Sequence, residues 1–331
     1  MKGRRRENLA SRVGPFVATL LFLGALWVLW RTLSGLRPGD IKQALDGLSR
    51  NAFGRALLLT GMNYFVLTGQ DWLAMKYVKR KIGYPRVSLA AFVSYAFSNG
   101  LGFATITSSS VRFRLYSRWG LDGVEIAKVI SFCTVTMGLG LSFAAGVSFL
   151  TRSPLVSTHG IASLIAIRVT GILLLCLVLA YLLLCAFHSR PYSFRTWDLS
   201  IPSLPLSIAQ VLVSSLDWAI AAGVLYALMP MGYDVTYFQF LAVFLVAQTA
   251  AILSQVPGGL GVLESAGMIL LLPVVPARSA IASFVAYRAI YYLLPLAVAA
   301  GLFGAREALD RGRTARRLVG LLGRWLPGIL R

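Results

Sequence analysis

Acidic residues are scarce in this 331-residue chain: 12 Asp and Glu stand against 32 Lys and Arg, with two histidines and three cysteines. So small a stock of carboxylates and imidazoles, spread singly, excludes a metal centre and a general acid–base array. Cys133, Cys176 and Cys185 all fall inside apolar segments, which excludes a disulfide framework and makes each a small buried hydrophobe. Catalytic motifs are missing too. There is no Walker loop, Gly-x-Ser-x-Gly elbow, Rossmann glycine pattern or His-Glu-x-x-His. An enzyme is not expected, nor is a cofactor, and any transport would be passive or driven by a gradient.

What is present is apolar: 57% of residues are hydrophobic and 13% charged, with a mean hydropathy of +0.72. The net charge of +20 would suggest nucleic acid in a soluble chain. Here the Lys and Arg flank apolar stretches, as the positive-inside rule expects of a membrane protein, and no nucleic-acid partner is expected. Apolar stretches of membrane length run over 13–30, 53–75, 88–110, 124–150, 161–187, 206–229, 237–272 and 277–303. The first follows a basic N-terminus but is too long for a signal core, and it closes on Trp27, Trp30 and Arg31 without a small-residue cleavage site, so it reads as a retained span.

Two stretches do not fit a single crossing. The third is split by Ser98-Asn99-Gly100-Leu101-Gly102, and the seventh is long enough for two arms about Pro257-Gly258-Gly259. If both are hairpins that return to their starting side, Arg31, Arg37, Lys42, Arg50, Arg55, Arg152 and Arg278 lie outside and Arg168 and Arg288 within the membrane. That leaves 23 of the 32 basic residues in the cytoplasm; if both stretches cross once, the division falls to 18 inside against 12 outside. The hairpins, with both termini cytoplasmic, satisfy the rule better.

Asn99-Gly100-Leu101-Gly102-Phe103 and Gly258-Gly259-Leu260-Gly261-Val262 share a Gly-Leu-Gly core 159 residues apart, and the flanking stretches follow roughly the same offset. Three crossings per half is an odd number, so the second copy enters from the opposite face. That is an inverted repeat, in which broken helices meet near the midplane; the alternative is glycine serving helix packing alone.

The charges gather near these breaks. Glu264 follows the second, and Arg288 sits in the last stretch among Tyr287, Tyr291 and Tyr292; the two read either as a structural ion pair or as a pair that opens to engage a lipid headgroup. Asp217 is a further candidate, preferred to Asp71, which can reach the interface near Lys76 and be solvated there. After the first break come hydroxyls and then Arg112, Arg114, Tyr116 and Arg118. If this segment is helical, Arg112 and Tyr116 share a face while Arg112 and Arg114 point apart. The arginines suit a phosphate, bidentately, or serve as ordinary cytoplasmic anchors. Gly138, Ser142 and Gly146 offer a small-residue packing face, within the chain or between copies.

Together, Val111-Arg112-Phe113-Arg114-Leu115-Tyr116-Ser117-Arg118-Trp119-Gly120-Leu121 and Pro257-Gly258-Gly259-Leu260-Gly261-Val262-Leu263-Glu264 resemble the membrane domain of the lysylphosphatidylglycerol synthase/flippase family, that of the bacterial multiple peptide resistance factor, over about residues 10–305. The resemblance implies a helical domain that translocates aminoacylated phosphatidylglycerol to the outer leaflet, with a separate soluble C-terminal domain attaching the amino acid from aminoacyl-tRNA. The 304–331 segment is too short for such a domain, so synthesis is not expected.

The expected architecture is an all-α polytopic protein of a bacterial inner membrane, with about six full spans and two broken hairpins, or alternatively eight transmembrane helices. One membrane domain covers 1–305, with half-repeats at about 13–150 and 160–304, followed by a basic cytoplasmic tail over 306–331. The expected function is binding or translocation of an anionic or aminoacylated phospholipid, with a separate lipid-modifying synthase and a second copy of the chain as candidate partners. Arg112 and Arg114 would hold the phosphate and Glu264 and Asp217 would meet an amino group on the headgroup, with Tyr116 and Arg288 as further lipid-binding candidates. Asn99, Gly100, Gly102, Pro257, Gly258, Gly259 and Gly261 would form the helix breaks. A secondary transporter of a small anionic solute and a non-transporting scaffold are the rival readings.

Overall fold

A computed structural model describes residues 49–101, 104–151, 160–187, 192–194, 197–199, 201–229, 235–254, 256–271 and 274–305. The expected first span over 13–30, Gly102, His159, His188 and the basic tail lie outside the described residues. The fold is helical: α1 (Arg50–Tyr77), α2 (Tyr84–Leu101), α3 (Ala104–Arg118), α4 (Gly123–Thr151), α5 (Gly160–Phe187), α6 (Leu204–Leu228), α7 (Tyr237–Leu253), α8 (Val262–Leu271) and α9 (Ala277–Tyr287). The last runs through a π-helical turn (Arg288–Leu293) and continues helically to residue 305. Between α5 and α6 the chain forms a minimal antiparallel hairpin, β1 (Tyr192–Phe194) with β2 (Trp197–Leu199), in which Tyr192 stands opposite Leu199.

Local chemistry sets the helix ends. Ser49 caps α1, its Oγ accepting from the Ala52 amide at 3.1 Å, and Lys76 in the last turn complements the negative end of the helix. α6 has a proline in its first turn, where no backbone donor is needed. A capping box of Thr236 and Gln239 opens α7, with the Gln239 Oε1 accepting from the Thr236 amide at 3.0 Å.

Both expected hairpins form. α2 packs on α3, and α7 on α8. Four described helical segments are long and apolar enough to cross a membrane, Gly123–Thr151, Leu164–Phe187, Leu204–Leu228 and Ser279–Ala305, while Tyr237–Leu253 and Val262–Leu271 are shorter apolar arms. α1 covers the expected second span but is less apolar, because Thr60, Asn63, Thr68, Gln70 and Asp71 are buried along it. Its inward side is used for hydrogen bonds, and it makes its broadest packing against α6.

Among the described residues the apolar packing divides into two large clusters and a small third of Leu139, Val178 and Val211. One cluster gathers α1, α2, α3 and the start of α4 with the Leu296–Phe303 end of the last helix. The other gathers the end of α4 with α6, α7, α8 and α9. Outer surfaces are apolar as well: Ile165, Val169, Ile172, Leu173 and Leu177 on α5 are all exposed, as lipid-facing side chains would be. Small residues set the closest crossings. A Cβ at Gly140 would fall 2.5 Å from the Ser214 backbone, so α4 and α6 touch main chain to main chain, and Gly146 does the same for α4 against Gly171 of α5. Of the expected packing face, Gly146 is used within the chain, while Gly138 has open space around it.

Candidate functional site

The second break is built by left-handed glycines. Gly258, Gly259 and Gly261 have φ of 61°, 58° and 81°, a region that a residue with a Cβ enters only at a cost. The opening also has no room: a Cβ at Gly258 would meet the Gly100 carbonyl oxygen at 3.0 Å, and one at Gly259 the Ala251 Cβ at 2.8 Å. The Pro257–Gly259 turn therefore seats directly on the end of α2, and the two hairpin tips meet.

Beside this junction is a cavity of about 290 Å³, walled by both hairpins and by α1, α4, α6 and the last helix. Much of its lining is polar and buried, including Gln70, Tyr95, Arg112 and Asp217. Asn99 and Gly100, expected to break the helix, lie instead within the last turn of α2; Asn99 faces the cavity, as do Gly258 and Gly259.

On one wall, Arg112 and Asp71 form a bidentate ion pair. Arg112 Nε donates to Asp71 Oδ1 at 2.9 Å and Nη2 to Oδ2 at 2.8 Å. The Tyr116 hydroxyl donates to the same Oδ1 at 2.7 Å, and the Cys133 thiol lies 3.8 Å from Oδ2. The shared face of Arg112 and Tyr116, expected from their i, i+4 spacing, thus closes on a single carboxylate. Arg114 is buried too but, pointing away as expected, does not line the cavity. The expectation for Asp71 fails. It is 0% exposed, so it cannot be solvated beside Lys76; the cost of burying its charge is offset by Arg112 and two further donors.

The facing wall centres on Asp217. Asn63 Nδ2 donates to its Oδ1 at 2.8 Å and to its backbone carbonyl at 2.7 Å, and Gln70 Nε2 reaches Oδ2 at 3.3 Å. Tyr291 donates to Asn63 Oδ1 at 2.7 Å, tying α1 to the π turn. Tyr95 joins the two walls: its hydroxyl donates to Gln70 Oε1 at 3.0 Å while the Arg112 guanidinium lies 4.8 Å from its ring centre. A continuous polar chain therefore runs from Asp217 through Gln70 and Tyr95 to Arg112 and Asp71.

Glu264 and Arg288 do pair, through Nε to Oε1 and through Nη2 to Oε2 at 2.9 Å. The same guanidinium donates to the carbonyls of Gly258 at 2.8 Å and Gly259 at 3.0 Å, and Glu264 Oε2 accepts from the Gly261 amide at 2.9 Å. The pair takes up backbone groups that the break releases. Neither side chain lines the cavity; Tyr292, whose ring centre is 5.3 Å from the Arg288 guanidinium, stands between. The π turn widens the spacing so that Tyr287, Tyr291 and Tyr292 all face inward.

Sequence reasoning missed Asn63, Gln70, Tyr95 and Cys133. Two amides seven residues apart share a helix face, and that signal was available in the 53–75 stretch. Cys133 is buried as expected but bonds Asp71, whereas Cys176 is exposed, against expectation, on the outer side of α5. Among the described residues no cluster of His, Cys, Asp and Glu could hold a metal.

A family model for the lysylphosphatidylglycerol synthase TM region matches residues 16–299. An uncharacterized protein of Synechocystis, slr0712, is 32% identical over 85% of this chain and 87% of its own length. The inner membrane protein YbhN of Escherichia coli is 30% identical over 90% of this chain and 92% of its own. Phosphatidylglycerol lysyltransferase of Staphylococcus aureus is 26% identical over 91% of this chain, which spans 34% of that enzyme. With buried charges grouped about two broken helical hairpins, and a family match covering most of its length, this multi-pass membrane protein belongs to the family of the lysylphosphatidylglycerol synthase TM region.

Proposed function

We propose that the chain is a non-enzymatic phospholipid translocator of the inner membrane, which takes a lipid headgroup into the cavity between its two hairpins and passes it to the other leaflet. The observation that carries this reading is the cavity itself: buried polar side chains inside helices that are otherwise apolar, beside the junction of the two hairpin tips. Polar groups at such depth are costly in a bilayer unless they line a site. A volume of about 290 Å³ fits a headgroup without its chains. Lipid is favoured over a free solute by the cavity's edge. There Thr134 and Ile252 neighbour the exposed Val135 and Leu253, an apolar surround suited to acyl chains.

In this reading Arg112, steadied by Asp71 and Tyr116, faces the phosphate, and Asp217 faces an amino group where the headgroup has one. Glu264 and Arg288 hold the break in shape. An inverted repeat with cytoplasmic termini is the matching architecture. Its support is that the two glycine motifs meet, with Gly258 abutting the Gly100 carbonyl. Related motifs that touch each other suit a two-fold axis between halves.

The test is a leaflet assay in vesicles of phosphatidylglycerol and phosphatidylethanolamine carrying a fluorescent lipid and an impermeant quencher. The protein is expected to speed exchange between leaflets, and Thr134→Trp, which places an indole at the exposed edge of the cavity, to return it to the rate of empty vesicles. Exchange no faster than in empty vesicles for the wild type, with uptake of a small anion instead, would make the chain a solute transporter.

A further inference from the structure

Among the described residues, three carboxylates line or brace the interior of this helical body, and two of them are each clasped by an arginine, Asp71 by Arg112 and Glu264 by Arg288. Asp217 is different. It is 6% exposed and lines the cavity, and its side-chain partners among the described residues are the neutral amides Asn63 and Gln70. A carboxylate held this way within a membrane calls for a positive charge from elsewhere. Of the three, it alone can lose its charge without stranding an arginine in the interior.

Among the described residues, its surroundings add no such charge. From α1 the titratable neighbours are Tyr64 and Asp71, from α2 Tyr95, from α4 Cys133, and from the last helix Tyr287, Tyr291 and Tyr292. On α5, Tyr181 is engaged with Gln210, and on α7 Tyr237 donates to the Ala219 carbonyl. Arg112 is already spent on Asp71 and is separated from Asp217 by Tyr95 and Gln70, while Arg288 is spent on Glu264 and two carbonyls. Two further polar atoms on the cavity wall, the Tyr287 hydroxyl and Gln248 Oε1, are buried without a partner in hydrogen-bonding geometry among the described residues. An incoming donor such as an ammonium or water would satisfy them.

We propose that Asp217 is the proton-exchange site of this cavity. It holds a proton while the cavity contains no cationic group and gives it up when a headgroup ammonium arrives. This rests on the lipid reading and supplies its energy source. The carboxyl O–H bond breaks, the proton leaves to cavity water, and the carboxylate pairs with the ammonium. On the return stroke the proton takes the place of the ammonium, so an amine-bearing lipid moves one way and a proton the other.

The direct measurement is proton release from the purified full chain in weakly buffered detergent, followed with a pH-indicator dye on addition of glycerophosphoethanolamine. The wild type should release about one proton per chain, as linkage requires of a single group that changes state. Glycerophosphoglycerol, which has no amine, should release none. Asp217→Asn should abolish release, and Asp217→Glu should retain it with a displaced pH profile. No release from the wild type, or undiminished release from Asp217→Asn, overturns the proposal. Should the Asn variant fail to fold, an unchanged profile in the Glu variant overturns it equally.

A second arm sets a pH gradient of one unit across the phosphatidylglycerol–phosphatidylethanolamine vesicles. It should drive a fluorescent phosphatidylethanolamine to a leaflet ratio of up to about tenfold, while a phosphatidylglycerol analogue stays at parity. Lipid movement that ignores the gradient removes the proton site and leaves the lipid reading standing. Proton release without lipid movement does the reverse.

Discussion

Two arginine–carboxylate pairs organise this protein, and they are built for different tasks. Asp71 and Arg112 are 0% and 2% exposed and 41 residues apart, and Arg112 lines the cavity while Asp71 anchors it. Glu264 and Arg288 retain side-chain exposures of 23% and 11%, lie outside the cavity lining, and share their hydrogen bonds with the backbone of a broken helix. The first pair fixes one helix against another and presents an arginine to the cavity. The second stabilises a turn. Similar chemistry thus serves a site in one hairpin and a scaffold in the other, and burial and third partners distinguish the two.

Breaking the first pair should cost most. Arg112→Ala leaves Asp71 charged and enclosed, a loss of about 3–5 kcal/mol, measurable by denaturation in detergent. Asp71→Ala/Arg112→Ala should lose less than the sum of the single changes. Arg288→Ala should cost less, roughly 1.5–3 kcal/mol for its charge-assisted bonds, because the freed groups have a route to solvent. Equal losses for the two arginines would erase the contrast.

The breaks can be compared in the same way. Gly258→Ala forces a left-handed residue against the Gly100 carbonyl and should cost about 1–2 kcal/mol from the backbone conformation alone. Gly100→Ala meets the movable tip of Leu296 and should be milder in the same denaturation experiment. Smallest of all is Arg80→Gln. Its bridge to Glu125 lies on the surface, with Arg80 48% exposed along its side chain, and its loss should leave stability unchanged within error at physiological salt.

Much of the fold was legible because membrane solvation makes polarity conspicuous. The hairpins followed from counting Lys and Arg around Ser98–Gly102 and Pro257–Gly259, and α2 with α3 and α7 with α8 pack accordingly. The break at Gly258 was legible for the same reason, since a run of glycines is conspicuous in an apolar stretch. The site was less so. Asp71 seemed to lie near an interface because Lys76 is five residues on, yet a helix turns through more than one face in that distance, and Asp71 points inward while Lys76 is exposed. Asn63 and Gln70 share a helix face, but they carry no charge, and a pair of amides alone does not mark a site. Their role depends on α6 delivering Asp217 from 154 residues away, which local pattern does not encode. The π turn was invisible as well, because Arg288–Leu293 holds no proline or glycine to mark it.

The meeting of Gly258 with the Gly100 carbonyl has a mechanical consequence. Most helix contacts interlock side chains, so that one surface slides over another by steps, each step unseating knobs from holes. At the tips, main chain rests on main chain, with no side chain on Gly258 or Gly100 to catch. At such a junction no knob has to leave a hole for the tips to shift against each other, and it sits at the rim of the cavity whose walls both hairpins supply.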